Sequence, residues 1–158
     1  MIGRITVTAD KECVRPLLRR RIVITYADTD AAGIIYFAAW FPWMERLHTE
    51  WLAGHGVRFT DLAERCGASV VTRAASCEYL AVVRPYDEVH IAMSVGHLGR
   101  RSYRMDYLMT RAADAARVAQ ASLTLVGIGA DGVAAPLPAL IADLLTPPWQ
   151  ATEPPGGK

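Results

Sequence analysis

Two aspartates, Asp28 and Asp30, stand two residues apart in a distinctive place. Before them runs a stretch rich in β-branched residues, ending Ile22-Val23-Ile24-Thr25-Tyr26; after them a long apolar segment begins near Phe37. A carboxylate in such a turn lies at the mouth of the helix that the apolar segment predicts. The first N–H groups of a helix have no partner inside it and carry partial positive charge. A carboxylate beside them can attack a carbonyl carbon or take a proton from water, and the free N–H groups can hold the oxyanion that forms. This is the chemistry expected of Asp30. Turn and cap formation competes as a reading of any such Asp, and it is preferred for Asp28. Glu45 and Glu50, further along the helix, are weaker candidates for the essential carboxylate, because surface ion pairing accounts for them.

The remaining reactive residues point less sharply. Arg100-Arg101, followed by Ser102, occupies a turn after Gly99. A guanidinium matches phosphate geometry, although a basic turn is also an ordinary solvated turn. The histidines are His48, His55, His90 and His97, with no HExxH spacing. His90 and His97 lie seven apart on one expected strand and so should face opposite sides. No metal site is expected. His48 falls towards the apolar side of the helix and reads as a core histidine. Cys13, Cys66 and Cys77 are odd in number and form no CxxC pair, which suits a reducing compartment better than a disulfide framework. The glycines match neither GxGxxG nor the P-loop pattern.

The elements that must position these groups are legible from periodicity. A strand is expected over residues 18–26 and a turn over 27–35, where Gly33 permits positive φ. Over 37–54, Trp40, Met44, Leu47 and Trp51 recur at helical spacing, with Trp43 on the same face; Glu45, Arg46, Thr49 and Glu50 fill the opposite arc. Such a helix should be largely enclosed. Pro42 falls in its early part, which tolerates proline, and Gly54 and Gly56 end it. A short helix is expected over 59–66, stopped by Gly67. From 68 onward the period is two: strands at 68–80, 88–95, 102–109 and 119–125, separated by Pro85-Tyr86-Asp87, by Gly99-Arg100-Arg101 and by Asp114. Short connections suggest antiparallel neighbours. The fold class is therefore α+β, an antiparallel sheet of five strands wrapped around one long helix.

Length and composition bound the rest. With 158 residues the chain favours one domain, and 52% hydrophobic residues exclude disorder. A net charge of +1 argues against nucleic acid or a membrane surface as the main partner. The charge-free run over 31–44 is too short to span a bilayer, and no apolar leader is seen, so a soluble cytoplasmic protein is expected. Residues 1–17 read as an N-terminal extension, 18–146 as the domain, and the Pro-rich stretch 147–158 as a flexible tail.

Tyr26-Ala27-Asp28-Thr29-Asp30-Ala31-Ala32-Gly33-Ile34-Ile35-Tyr36-Phe37 resembles the signature of the hotdog-fold acyl-CoA thioesterases of the 4-hydroxybenzoyl-CoA thioesterase type. That signature is Asp-x-Asp, two small residues or Pro-Ala, Gly, two aliphatics and two aromatics. Met44-Glu45-Arg46 and Pro85-Tyr86-Asp87-Glu88 support the likeness, which covers about residues 19–130. It implies hydrolysis of a thioester to free acid and coenzyme A, with Asp30 catalytic and the backbone N–H of Phe37 polarising the carbonyl. It implies that Arg100, Arg101 and Ser102 hold the coenzyme A phosphates, that no cofactor is needed beyond the coenzyme A carried by the substrate, and that subunits join edge to edge as dimers or tetramers with the site between them. Phe37 stands where many short-chain and acyl-carrier relatives have His, which brings the chain closer to the aroyl-CoA branch. Ala31 replaces a proline of the best-known member. The alternatives are an acyl-carrier-protein thioesterase and a non-catalytic acyl-thioester binding module. A dehydratase is disfavoured because the helix-entry turn holds no His.

Overall fold

The structure is a computed structural model describing residues 15–146. The extension expected over 1–17 thus lies mostly outside the described residues, as do Cys13 and the tail expected over 147–158. The elements are β1 (Leu18–Val23), α1 (Trp40–Gly54), α2 (Leu62–Cys66), β2 (Ala68–Tyr79), β3 (Glu88–Leu98), β4 (Ser102–Arg111), β5 (Arg117–Gly129) and α3 (Ala139–Leu145). The strands form one antiparallel sheet in the order β1-β3-β4-β5-β2. The fold class read from the periods is the one observed.

Two expectations about the sheet need correction. The short 80–87 connection does not join neighbours: β2 pairs with β5, and β3 lies between β1 and β4. The connection instead runs past the sheet end, with Leu80 and Ala81 donating to Val118 O and Ile35 donating to Val83 O. His90 and His97 also share a face. The register of β3 against β4 slips between Val95 and His97, so His97 pairs with Arg104 and His90 with Thr110, both on the side away from the core. The extra residue is Gly96, a bulge that reverses the alternation expected from spacing.

Period two gives the sheet one apolar face. Val89, Ile91, Met93, Tyr103, Met105, Tyr107 and Met109 are buried there and share a core with Trp40, Met44, Leu47, Trp51 and Leu52 of α1. At about 25 cal/mol per Å2 of apolar area, this contact is the main hydrophobic contribution to stability. The helix is enclosed on one side only. Glu45, Arg46, Thr49 and Glu50 are exposed, and the Arg46 guanidinium lies 4.9 Å over the half-buried Trp43 ring. His48 is buried and bonded to the Tyr103 hydroxyl at 3.2 Å, as a core histidine should be. The Tyr107 hydroxyl, also buried, has no hydrogen-bond partner among the described residues.

At the far end of the sheet the chain doubles back over β5. Gly127 donates to Arg101 O, Ala135 donates to Gly127 O, and Leu137 donates to Arg100 O. A methyl on Gly127 would overlap the carbonyl groups of Ala135 and Pro136, lying 2.7 Å from Pro136 O. These are backbone atoms and cannot rotate aside. Gly127→Ala is expected to cost about 1–3 kcal/mol by overpacking, lowering Tm by roughly 3–10 °C. A thermal scan checks it; an unchanged Tm would mean that the 135–137 segment does not seat on β5.

Candidate active site

The loop after β1 is built by its own short-range bonds. Asp28 accepts from both the N–H and the hydroxyl of Thr25 at 2.8 Å, closing the 3-10 turn Tyr26–Asp28 and stopping the strand short of Tyr26. Asp28 is thus a structural cap, as expected. Thr29 and Ile35 then form an antiparallel bridge. Gly33 donates to Asp30 O at 3.0 Å and Asp30 donates to Ile34 O at 3.0 Å. Gly33 has φ +70, the left-handed position that such a tight hairpin requires and glycine supplies without strain. The Asp30 carboxylate is exposed at the tip of this hairpin. Its Oδ1 accepts the Ala32 N–H at 2.8 Å, and its Oδ2 accepts no hydrogen bond among the described residues. Oδ1 therefore does the turn-forming work, and Oδ2 takes no part in it.

The hairpin leads straight into the helix entrance. Tyr36 donates to Asp28 O at 2.8 Å and Ile35 to Val83 O at 2.8 Å, which pins the returning strand to both sides of the loop. A 3-10 turn, Phe37–Ala39, precedes α1 where the period had suggested α-helix from residue 37. Pro42 explains the difference, since it lacks the N–H that would bond the Ala38 carbonyl in a regular helix. The Phe37 N–H donates to no acceptor among the described residues. The Phe37 ring is largely exposed and packs against the Tyr36 ring at 4.6 Å. From β2, the Tyr79 hydroxyl donates to Phe37 O at 2.8 Å, a contact that periodicity in β2 did not signal.

Arg100, Arg101 and Ser102 sit elsewhere. The two arginines form the turn between β3 and β4, and Ser102 begins β4. Both arginines are exposed, and neither guanidinium makes a hydrogen bond or ion pair among the described residues. The Asp30 hairpin abuts the 80–87 connection, next to the start of β3, whereas the arginine turn follows its end. The 11 residues of β3 separate the two, roughly 35 Å of strand. Within one protomer Asp30 lies opposite Ile34 in the hairpin that runs into the Phe37 turn, whereas the arginines lie beyond the other end of β3. Among the described residues no cluster of His, Cys, Asp and Glu is arranged to hold a metal, and no helix is long and apolar enough to cross a membrane.

The description of the protein-family model that matches residues 24–145 is the thioesterase-like superfamily. The chain belongs to the thioesterase-like superfamily. Membership makes it an enzyme of the thioesterase class. The acyl-CoA thioester hydrolase YbgC of Escherichia coli O6:H1 is 35% identical over 80 residues, which is 50% of this chain and 58% of YbgC, so the match spans less than two thirds of that relative. Among solved structures, a 1,4-dihydroxy-2-naphthoyl-CoA thioesterase from Synechocystis superposes with a TM-score of 0.73 at 20% identity, over 80% of this chain and 93% of the other. A 4-hydroxybenzoyl-CoA thioesterase mutant complexed with 4-hydroxybenzoyl-CoA superposes with a TM-score of 0.72 at 17% identity, over 82% and 98%. These likenesses establish the hotdog fold for this thioesterase-family chain. They do not single out the 4-hydroxybenzoyl-CoA type, since enzymes named for two different aroyl groups fit it equally well.

Proposed function

We propose that this protein hydrolyses acyl-CoA thioesters, with aroyl-CoA as the preferred class. The observation that carries the reading is the Asp30 hairpin, whose free carboxylate oxygen stands one short strand before an entrance turn with an unpaired Phe37 N–H. In this reading the Asp30 carboxylate acts on the thioester carbonyl carbon, either directly through a mixed anhydride or through a water that it deprotonates. The Phe37 N–H holds the oxyanion of the tetrahedral intermediate. Collapse of that intermediate expels coenzyme A as its thiolate. The aromatic at Phe37 and the aroyl-CoA substrates named for two structural neighbours support the substrate class. No cofactor is needed, because coenzyme A arrives on the substrate.

The arginines enter through assembly. A coenzyme A thioester at Asp30 would meet Arg100, Arg101 and Ser102 of a second copy rather than its own. Strand β2 supports such an assembly: its 12 residues lie at the edge of the sheet, paired on one side only, and the exposed Tyr79, Leu80, Val82, Tyr36 and Phe37 cluster beside its end. Edge-to-edge dimers, further paired as a tetramer, would place the site between subunits. A reducing, cytoplasmic setting suits the free Cys66 and Cys77.

A panel of aroyl-CoA, aliphatic acyl-CoA and acyl-carrier-protein thioesters, followed by free thiol release, tests the reading. Highest kcat/KM on an aroyl-CoA supports it; turnover only of carrier-bound acyl groups would move the protein to the carrier class; no release from any of them would remove the hydrolase reading. The Arg100→Ala/Arg101→Ala double variant is expected to raise KM for coenzyme A thioesters on the order of tenfold through lost charge-assisted bonds, with no change for the same acyl group on a short thiol. Equal effects on both substrates would remove the arginines from the coenzyme A site.

A further inference from the structure

We infer that Tyr79 is a positioning residue for the oxyanion amide. Its phenol hydroxyl, reaching from the last position of β2, fixes the Phe37 carbonyl at the entrance to α1. The inference rests on the reading of the Phe37 N–H as oxyanion donor and adds the residue that aims it.

The entrance needs such a tether. Residues Phe37–Ala39 form a 3-10 turn rather than the first turn of an α-helix, and Pro42 withholds an N–H that would otherwise draw this turn into the regular helix. The ring of Phe37 is 57% exposed and rests on Tyr36, itself 44% exposed, so side-chain burial does little to hold the residue. What reaches across from the sheet is the Tyr79 hydroxyl, at 2.8 Å from Phe37 O. Tyr79 starts from a firm base, since its backbone pairs with Ala119 of β5 and Leu80 donates to Val118 O just beyond it. The Phe37 N–H lies in the Tyr36–Phe37 peptide, and the bond from a donor anchored in a paired strand holds the adjoining Phe37–Ala38 peptide, which across the shared Cα limits the φ rotation that would turn the N–H away. An oxyanion donor helps only when it is aimed before charge develops, and small misplacements of such groups lower turnover steeply. Tyr79 does not touch the substrate in this account; it acts through Phe37.

Tyr79→Phe removes the hydroxyl and keeps the ring. It is expected to lower kcat and kcat/KM together by about tenfold, with KM unchanged, because the lost interaction matters only in the transition state. Tm should stay within 2 °C or so of wild type, as for the loss of one exposed hydrogen bond. Phe37→Pro runs beside it. Proline is accommodated at a helix start, and Tyr36 already has the extended conformation that a following proline requires (φ −65, ψ 131). That variant removes the N–H itself and should lower kcat by roughly 10^2-fold or more. Full kcat in Tyr79→Phe beside collapsed kcat in Phe37→Pro overturns the role of Tyr79 and leaves the oxyanion assignment standing. Full kcat in Phe37→Pro overturns both. A Tyr79→Phe loss that appears in KM, or that follows a large fall in Tm, marks a merely structural residue and also overturns the inference.

Discussion

Replacing Asp30 with Asn leaves the fold intact and lowers thioester turnover by roughly 10^2-fold or more, the scale on which a lost acid–base group is felt. The fold survives because the amide oxygen of Asn can still accept the Ala32 N–H that Oδ1 accepts now at 2.8 Å. Asn is also as good a turn former as Asp. The remaining bonds of the hairpin, Gly33 N–H to Asp30 O and Asp30 N–H to Ile34 O, are backbone bonds that the substitution does not touch. What disappears is the negative charge and the basicity of the free oxygen. An amide neither attacks a thioester carbon nor accepts a proton from water near neutral pH. Circular dichroism and the thermal midpoint should match wild type, while thiol release from an aroyl-CoA collapses. Glu45→Gln is the informative companion: Glu45 is exposed and accepts the Thr49 hydroxyl at 2.6 Å, so its loss should leave kcat within a factor of two or so. Near-wild-type hydrolysis by the Asp30 variant would remove that residue from the mechanism, and collapse in the Glu45 variant would transfer the role to the helix.

Acid is expected to destabilise the protein through His48 before most surface carboxylates matter. In the unfolded chain its imidazole takes up a proton near 6.5, whereas burial in the fold holds it down to about 4. Between those values the unfolded state binds the extra proton, so stability is fully present above about pH 6.5 and is lost as pH falls through about 4. The interval corresponds to about 3 kcal/mol at 1.36 kcal/mol per unit. The neutral ring bonds the Tyr103 hydroxyl and lies edge-on to Phe59 at 5.3 Å, with no carboxylate bonded to it that could accept the charged form. His48→Gln keeps a polar partner for Tyr103 and does not titrate. Denaturant midpoints measured from pH 7 to pH 4 should fall steeply for wild type and much less for the variant. The exposed pairs Arg21–Glu88 and Arg111–Asp114 contribute equally to both proteins and cancel in the comparison. Parallel slopes for the two proteins would show that the buried ring is not the acid-sensitive group.

Much of this was written in the order of residues. The apolar positions Trp40, Met44, Leu47 and Trp51 define a helix face, and the alternation from Val89 to Met93 and from Tyr103 to Met109 defines a sheet face, because both periods are local geometry. The hairpin around Asp30 is equally local, since Thr25, Asp28, Ala32 and Gly33 supply its bonds and its left-handed residue within nine positions. Family membership was legible from the same twelve residues. Which strand lies beside which was not. The 80–87 connection is short, yet β2 crosses to the far edge and pairs with β5, since pairing depends on which faces the core must cover and not on loop length. The bulge at Gly96 likewise depends on β4, and it alone puts His97 on the side of His90.

The sequence by itself therefore settled the helix, the strands and the fold class, all of which follow from neighbours a few residues apart. Only the tertiary structure decided that Tyr79 reaches Phe37 across 42 positions and that Arg100 and Arg101 stand at the opposite end of the sheet from Asp30. The physical reason is common to both: distances between elements are set by how a twisted sheet and a helix bury one another's apolar faces, and that packing leaves no periodic trace along the chain.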